Sequence, residues 1–365
     1  MKKGILAAVL LFVTLPVFCC TSIIISGRAT ADGRPLMLKH RDTGRLDNAV
    51  GYFQGPEYAF IGLVNADTAF DGEVWTGTNA AGFSIMNTAS YNIKDDDVPD
   101  SGMDREGILM YGALGICATL ADFEYYLDTL SRPLGVETNF GVIDAAGGAA
   151  YYEVNNHSWV KYNVNDIPCG YRVVTNFSES GRLADRRGVE RYETATAIFS
   201  ELLGDKPYRI SHKDIFGNIS RSFRGMENGA AYVIPRKITS ASIVIEGVKT
   251  GGNPLQTVMW TILGYPPCGV AFPLMVGNGC LLPFEVMPDA DGHSQLCDEA
   301  LVRKASGEDF REICAEADAE IEEVFMKGYR KWISGKMKDL RFFGEYGKMK
   351  MSFLKIYREK FAKNE

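Results

Sequence analysis

The chain has 365 residues, 46% of them hydrophobic and 11% aromatic, which suffices for a sizeable core in one large domain or two ordinary ones. A net charge of −7 and the lack of a basic stripe with interleaved aromatic residues argue against a nucleic-acid partner. The eight cysteines form no CxxC pair or His/Cys cluster with metal-ligand spacing, so we expect neither a zinc site nor a cofactor.

Residues 1–19 have the pattern of a removable signal peptide. Two lysines precede the apolar run Ile5–Phe18, which is shorter than the roughly 20 residues of a membrane-spanning helix. Val17 and Cys19 would occupy the −3 and −1 positions of a cleavage site before Cys20, and both are small enough for it. We therefore expect an exported protein, periplasmic or extracellular, whose mature chain begins at Cys20.

A lipoprotein signal is the alternative interpretation of this segment, because lipid is also attached to a cysteine at a cleavage site. Residues 18 and 19 are Phe and Cys, which match poorly the small-residue pair that such signals favour. A lipid thioether would consume the sulfur of Cys20, so lipidation and a free nucleophile exclude each other. In that case the protein would be a surface lipoprotein or binding module, and only then would it have a membrane partner.

The segment after the leader is rich in predicted strands. Thr21–Ser26 is β-branched and leads through an Asp-Gly turn at residues 32 and 33 into Pro35–His40. Another apolar run covers Tyr58–Val64. Glu73–Thr78 and Phe83–Thr88 flank the sequence Asn-Ala-Ala-Gly, which predicts a hairpin.

Helices and strands then alternate in blocks. Helical periodicity predicts helices at Gly107–Leu120, Asp122–Leu130 and Leu183–Leu203, and the pattern is helical and charged from Glu299 onward. Further strands are predicted at Phe140–Asp144, Ala149–Val154, Trp159–Tyr162, Tyr171–Thr175, Ser242–Gly247 and Thr257–Gly264. Such blocks favour an α+β fold with two stacked antiparallel sheets and helices on their outer faces.

The same pattern predicts the organisation of the chain. A catalytic domain is expected at 20–298, after the signal peptide at 1–19. A helical C-terminal extension at 299–365 would pack on this domain. The chain turns basic after Phe325, which is typical of a solvated amphipathic pair of helices.

A cysteine at the start of a mature chain carries a thiol and a free α-amine in one residue. A cysteine thiol has a pKa of about 8.5 and an α-amine has a pKa of about 7.7–8.0, so both groups exchange protons close to neutral pH. A thiolate that attacks an amide carbonyl gives a tetrahedral oxyanion and then a thioester, which water hydrolyses. The site also needs an anion that orients the nucleophile and donors for the oxyanion. Cys20 is therefore the candidate nucleophile.

Asp42 is the candidate for orienting Cys20, because it ends the strand that pairs back toward the N-terminus across the turn at residues 32–33. The alternative is an ordinary polar strand end before Gly44. His40 would share a face with Asp42 and is expected to have a structural role, whereas Arg41 would face the other side. The histidines at 157, 212 and 293 carry no papain-like or nucleophile-elbow signature.

Several motifs occur together in an order found in one enzyme family. They are Cys20-Thr-Ser-Ile-Ile-Ile, Lys39-His-Arg-Asp42, Trp75-Thr-Gly-Thr-Asn-Ala-Ala-Gly-Phe-Ser-Ile-Met-Asn87, Arg172-Val-Val-Thr-Asn176, Ser220-Arg-Ser222 and Met259-Trp-Thr-Ile-Leu-Gly264. From Cys20 to about Pro273 the chain resembles the choloylglycine hydrolase and penicillin V acylase family. It resembles even more the related acyl-CoA:6-aminopenicillanic acid acyltransferase-like group of N-terminal nucleophile hydrolases.

The resemblance implies a four-layer αββα sandwich that cleaves linear, non-peptide amide bonds. By motif match Cys20 would be the nucleophile and Asp42 the residue bonded to its sulfur and amine. Asn87 and Asn176 would supply donors around the oxyanion and the reacting amide. Arg221 would match a late arginine at the nucleophile end of the site. Arg224 is the alternative for that arginine.

The chain departs from the family pattern at one point. The family usually shows Arg-Asn-x-Asp where this chain has Lys39-His40-Arg41-Asp42. Lysine keeps the positive charge but lacks the planar two-pronged donor set, so Lys39 is a weaker candidate, as is His40. Arg41 would be a poor substitute, because simple alternation points it away from His40 and Asp42.

The leading interpretation is an exported cysteine amidohydrolase that cuts an N-acyl amide. An acyltransferase is the close alternative, because it uses the same thioester and an amine resolves it instead of water. Bile-acid conjugates, aromatic acyl amides, fatty acyl amides and small peptides all remain open as substrates, and so does a homo-oligomeric state. The loops Asn92–Met103 and Ile234–Ser240 are expected to decide the acyl group.

Overall fold

The computed structural model describes residues 20–30, 32–66, 70, 72–95, 97–205, 210–226, 233–277 and 282–362. The predicted signal peptide lies outside the described residues. Within the described ranges, no helix is both long and apolar enough to cross a bilayer.

Two kinds of element make up the described chain. The strands are β1 Thr21–Ile25, β2 Leu36–Asp42, β3 Asn48–Gln54, β4 Ala59–Asn65, β5 Thr76–Asn79, β6 Ser84–Ala89, β7 Thr138–Ile143, β8 Ala149–Val154, β9 Trp159–Asn163, β10 Tyr171–Val174, β11 Thr239–Glu246, β12 Val258–Leu263 and β13 Phe272–Leu274. The α-helices are α1 Glu106–Ile116, α2 Leu120–Thr129, α3 Val189–Asp205, α4 His212–Ile215, α5 Gln295–Ser306, α6 Arg311–Ile333 and α7 Asp339–Phe361.

The strands form two antiparallel sheets. Seven strands, β3 to β9, follow one another in chain order, as hairpin connections produce. The predicted hairpin between β5 and β6 is confirmed. The Asn79 side chain accepts hydrogen bonds from the backbone N–H groups of Ala81 and Phe83 at 3.0 Å each. Gly82 adopts a left-handed φ of 77° there, which glycine tolerates without steric cost.

The other sheet has six strands in the order β10-β1-β2-β11-β12-β13. In the pairing of β1 with β2, Thr21 lies opposite His40 and Ser22 opposite Lys39. Cys20, immediately before β1, therefore lies beside Arg41. The strand β11 covers the other edge of β2, with Thr239 opposite Asp42.

Polar and apolar contacts join the facing surfaces of the two sheets. The Ser22 hydroxyl on β1 lies 3.0 Å from the phenol oxygen of Tyr151 on β8. A Cβ added to Gly141 on β7 would come within 3.2 Å of the Cδ1 of Ile24. Side chains alternate between the two faces of a strand, so Ser22 and Ile24 show which face of β1 looks toward the other sheet.

Helices cover both outer faces of this pair of sheets. On the seven-stranded sheet, Phe123 of α2 packs 5.7 Å from Phe140 of β7, measured between ring centroids. On the six-stranded sheet, Phe325 of α6 packs 5.5 Å from Trp260 of β12, and the Tyr346 hydroxyl of α7 donates to a carbonyl of β13. The order helices, sheet, sheet, helices confirms the predicted α+β fold with four αββα layers.

The predicted C-terminal helices are present and form part of the outer layer. The predicted boundary between residues 298 and 299 falls inside α5, so helical structure begins at Gln295. Stacking of Trp332 on Phe342, with ring centroids 4.1 Å apart, holds α6 against α7. Every described cysteine is a free thiol, and all of them except Cys169 are buried.

Candidate active site

A cavity of about 410 Å³ lies between the two sheets at the end where β1 begins. Its wall includes Cys20, Lys39 and Arg41 from the six-stranded sheet. The seven-stranded sheet contributes Asn87 from β6, and Glu106 at the start of α1 lies in the same wall. The cavity thus brings a thiol, two cations, an amide and a carboxyl group together.

Cys20 faces this cavity because of its place in the strand alternation. It lies two residues before Ser22, which points toward the other sheet, and its own side chain therefore points the same way. The residue is only 7% exposed. Its sulfur lies 4.0 Å from the backbone carbonyl oxygen of Asp42.

Lys39 is the cation next to the nucleophile. Its side chain is buried, and the ammonium group donates to the backbone oxygen of Asn87 and, at 2.8 Å, to the Oδ1 of the same residue. Burial lowers the pKa of Lys39, while the charge and the hydrogen bond of the neighbouring Cys20 sulfur act to raise that pKa. The residue that the sequence ranked as a weaker candidate thus lies beside the predicted nucleophile in the cavity lining.

Arg41 also lines the cavity, which corrects the expectation that alternation makes it a poor candidate. Alternation does place Arg41 on the opposite face of β2 from His40 and Asp42, but the Cys20 side chain is on the Arg41 face. The guanidinium group donates to the Oδ1 of Asn48 and, at 2.9 Å, to the Oδ1 of Asn65. It also lies 4.6 Å from the ring centroid of Trp75, so it is held on three sides.

Asp42 lines the cavity too. Its carboxylate, which alternation places on the His40 face of β2, is held by two residues of the six-stranded sheet region. Its Oδ2 accepts hydrogen bonds from the Nε and Nη2 of Arg236 at 3.0 and 2.9 Å. Its Oδ1 accepts one from the Thr239 hydroxyl at 2.6 Å. The described contact of Asp42 with the Cys20 sulfur is through its backbone carbonyl, so the predicted bond from the carboxylate stays a prediction.

His40 is buried beside this carboxylate. Its Nε2 lies 3.4 Å from the Thr239 hydroxyl and 3.9 Å from the Oδ1 of Asp42. Burial lowers the pKa of His40 to about 4, against the attraction of Asp42, so the imidazole is neutral at pH 7. A neutral, fully buried imidazole on the face away from the sulfur agrees with the expected structural role.

Asn87 and Asn176 lie at different distances from the nucleophile. Asn87 lines the cavity, and its Nδ2 has one long contact, 3.4 Å to the Thr138 hydroxyl. Asn176 donates from Nδ2 to the carbonyl of Ala89 at 3.0 Å. Its Oδ1 accepts a hydrogen bond from Arg191 at 2.6 Å. The amide of Asn87 is therefore the more available donor.

Arg191 of α3 was not found from the sequence. One of its nitrogens donates to the backbone oxygen of Cys20 at 2.5 Å and to the Thr21 hydroxyl at 2.9 Å. The other nitrogen donates to Asn176. Arg191 thus links Asn176 to the backbone of Cys20 by hydrogen bonds. A single arginine in an amphipathic helix belongs to no sequence motif. Arg191 stands out only in the structure, where it is 2% exposed.

Arg221 and Arg224, the two predicted late arginines, lie outside the cavity wall. Arg221 donates to the carbonyls of Pro266 and Gly269 at 3.0 and 2.7 Å and pairs with Asp318 of α6 at 2.7 Å. Arg224 forms an exposed ion pair with Glu201. All three donor nitrogens of Arg221 are committed to this structural network.

Arg236 and Arg191 are the late arginines that do contact candidate site residues, Asp42 and Cys20 respectively. Arg236 lies in the loop 234–240, which the sequence marked only as a substrate-binding segment. Neither residue stands in a recognisable motif, so three-dimensional contact alone identifies them.

The cavity lining also carries acidic groups. Glu73, Asp104 and Glu106 line it. Burial raises the pKa of Glu106 from an ordinary 4.5 to about 8, so this carboxyl group is protonated at neutral pH. The wall therefore presents a neutral hydrogen-bonding carboxyl group beside two carboxyl groups nearer the solvent.

One group of side chains among the described residues has the spacing of metal ligands. The ligand atoms of Asp47, His293 and Asp298 lie within 4.8 Å of one another. His293 is already paired with Asp298 at 3.4 Å, and none of the three lines the cavity. This group of side chains therefore lies apart from the candidate active site.

Fold and site together define a four-layer αββα protein with a buried cysteine at the start of a central strand. A scan against protein-family models gives no match, and no curated protein sequence matches the chain. Solved structures with a similar fold do exist, and the amide-cleaving enzymes among them include the following three.

One is an N-acylethanolamine-hydrolyzing acid amidase ortholog from Caenorhabditis elegans, with 18% identity, coverage of 64% of this chain and 93% of that chain, and a TM-score of 0.44. A mutant conjugated bile acid hydrolase from Clostridium perfringens has 11% identity, 71% and 95% coverage and a TM-score of 0.45. Penicillin V acylase from Agrobacterium tumefaciens has 12% identity, 70% and 86% coverage and a TM-score of 0.43. At such identities and scores the likeness carries no argument for function, which must come from the site.

Proposed function

We propose that the protein is an N-terminal-cysteine amidohydrolase that cleaves a linear N-acyl amide through a thioester on Cys20. The observation that carries this proposal is the position of Cys20 in the cavity. A buried sulfur lies against a buried lysine, and an amide donor on the facing sheet lines the same cavity. A nearby cation favours the thiolate, which is the attacking form of cysteine.

The proposed reaction has two halves. The Cys20 sulfur forms a bond to the substrate carbonyl carbon, and the resulting oxyanion accepts a hydrogen bond from the Nδ2 of Asn87. The carbon–nitrogen bond then breaks, and the amine leaves with a proton. Water attacks the thioester, which releases the acid and restores the thiol.

The proposal includes removal of residues 1–19, because only then does Cys20 carry a free α-amine. Asp42 is the anion proposed to orient that amine. Its carboxylate is fixed by Arg236 and Thr239, and Arg191 fixes the backbone oxygen of Cys20. A nucleophile held on several sides loses little freedom when substrate binds, which favours reaction.

The first test is hydrolysis by the mature chain that begins at Cys20. Conjugated bile salts, penicillin V, N-acylethanolamines and N-acyl amino acids form the substrate panel. We expect hydrolysis of at least one of these classes and its loss in Cys20→Ala, which changes one small side chain at the end of a strand. Cys169→Ala is the matched control, because that cysteine is exposed and lies outside the cavity. Hydrolysis by Cys20→Ala at the wild-type rate would exclude Cys20 as the nucleophile.

The same panel separates hydrolysis from acyl transfer. Both reactions pass through the thioester, and they differ in whether water or an amine resolves it. The assay is therefore repeated with an added primary amine, and acid and new amide are both measured. Release of acid as the main product supports the amidohydrolase, and a predominant new amide identifies an acyltransferase.

A further inference from the structure

The amine of Lys39 is held by one residue. An ammonium group has three N–H donors. Asn87, on β6 of the seven-stranded sheet, accepts two of these hydrogen bonds, one at its backbone oxygen and one at its Oδ1. The third position remains for the Cys20 sulfur, which lies on the same face of the sheet, because Lys39 pairs with Ser22, two residues after Cys20, and Lys39 and Cys20 both line the cavity. Asn87 therefore fixes the direction in which Lys39 meets the thiol.

This arrangement satisfies the amine in either protonation state. As an ammonium, Lys39 donates two hydrogens to Asn87 and the third to a thiolate. As a neutral amine it keeps both bonds to Asn87 and presents its lone pair to the S–H group. Neither state leaves a buried donor without a partner, so proton exchange with Cys20 carries no penalty from unsatisfied groups.

The charges around Lys39 favour such an exchange. Burial lowers its pKa most, and Arg41 on the same strand lowers it further, whereas Cys20 and Asp42 raise it. The same cavity lining carries the carboxyl groups of Glu73, Asp104 and Glu106. An arginine at this position would stay charged at all relevant pH values, whereas a buried lysine can lose its proton.

We propose that Lys39 is the acid–base catalyst that serves Cys20, in place of the α-amine. The neutral amine of Lys39 takes the thiol proton as the sulfur forms its bond to the carbonyl carbon. The resulting ammonium gives that proton to the substrate nitrogen as the carbon–nitrogen bond breaks. The proton taken from sulfur leaves with the amine product, so the step balances without another reactant. This inference rests on the proposed amidohydrolase function.

The test compares two variants of Lys39 in the mature chain. Lys39→Arg keeps a positive charge beside the sulfur but cannot exchange a proton, and Lys39→Met removes both. Lys161→Arg, an exposed lysine paired with Glu124, is the control for arginine substitution. Two quantities are measured against pH: kcat/KM for the amide found in the substrate panel, and the rate at which iodoacetamide alkylates Cys20.

We expect Lys39→Arg to be alkylated near the wild-type rate at neutral pH, because its charge still favours the thiolate. Its kcat/KM should fall by about 10²–10⁴-fold, the usual worth of general acid–base catalysis. Lys39→Met should be slow in both measurements, and its alkylation should follow the pH profile of an ordinary thiol. Wild-type hydrolysis by Lys39→Arg would overturn the proposal, because charge alone would then suffice.

The alkylation measurement keeps the two proposals separate. If no amide is hydrolysed by the wild type, the proposed function fails, yet the alkylation profiles of the wild type and Lys39→Met still report whether Lys39 is coupled to the ionisation of Cys20. If Lys39→Met and the wild type share one alkylation profile, the inference about Lys39 fails, whatever substrate the enzyme hydrolyses.

Discussion

At the scale of single residues, the site is built from buried polar groups whose partners come from different elements. Asn87 fixes Lys39, Arg236 fixes Asp42, and Arg191 fixes the backbone of Cys20. Each is a charge-assisted hydrogen bond, the stronger class of such bonds in proteins. The proposed nucleophile, Cys20, is thus positioned before substrate arrives, and the groups around it have little freedom to lose.

Glu106 gives a pH-dependent prediction at this scale. Its pKa is raised from 4.5 to about 8 by burial, so the folded protein holds a proton that the unfolded chain loses at lower pH. The stabilising effect of the protonated group is complete below pH 4.5 and is lost as pH rises toward about 8. We expect the Tm of the wild type to fall over this interval more than that of Glu106→Gln.

Thermal unfolding of both proteins at several pH values between 5 and 8 checks this prediction. Glutamine has the shape of the protonated acid and cannot ionise, so it isolates the effect of the proton. Parallel Tm curves for the two proteins would show that Glu106 does not titrate in this interval. Lys94 and Glu137 lie in the same region, so their contribution is present in both proteins and cancels in the comparison.

At the scale of elements, strand alternation distributes the site. The side chains of Lys39 and Arg41 point from β2 to the cavity, whereas alternation places those of His40 and Asp42 on the opposite face. Asp42 still lines the cavity, and its backbone oxygen lies near the Cys20 sulfur. The sequence predicts this alternation correctly. It does not reveal on which face of β2 the Cys20 side chain lies, because that depends on the register in which β1 pairs with β2. The importance of Lys39 could therefore not be derived from β2 alone.

The same reasoning explains which elements were predicted. Runs of β-branched and apolar residues mark β1, β11 and β12, and they are found where expected. The strand β3 went unpredicted because Gly51 and polar ends interrupt its apolar pattern, and β13 because it has only three residues. These two strands depend on pairing with β4 and β12 rather than on local propensity.

Arg221 gives a prediction at the scale of elements, since it joins the segment after β12 to α6. Replacing Arg221 with Met leaves the carboxylate of Asp318 and two carbonyl groups without their partner. We expect a loss of about 3–5 kcal/mol in the free energy of unfolding, the usual cost of breaking a buried ion pair. Urea unfolding measures this loss, and kcat/KM per folded molecule should stay unchanged.

Arg224→Met is the matched control, because its ion pair with Glu201 is exposed and should contribute little to stability. A large fall in kcat/KM for folded Arg221→Met, with an unchanged free energy of unfolding, would show that Arg221 acts in the catalytic site. That outcome would contradict the position of its three donor groups, which all point to residues outside the cavity.

At the scale of the whole molecule, four layers create a site at the end of the sandwich. Each sheet buries one face against the other and one face against helices, so polar residues in the strands must be paired where they are enclosed. The layer order and the cysteine at the start of β1 follow from sequence patterns. The arginines of the site do not, because Arg191 and Arg236 reach it from segments that are remote in sequence.

Intact mass spectrometry of the protein purified after expression of the full sequence, before and after mixing with an acyl amide from the substrate panel, tests the central claim most directly. The account predicts a chain that starts at residue 20 with an unmodified sulfur. It also predicts a transient mass increase of one acyl group, located on Cys20 by peptide mapping. A retained leader, a lipid on Cys20, or an acyl group carried by another residue would contradict it.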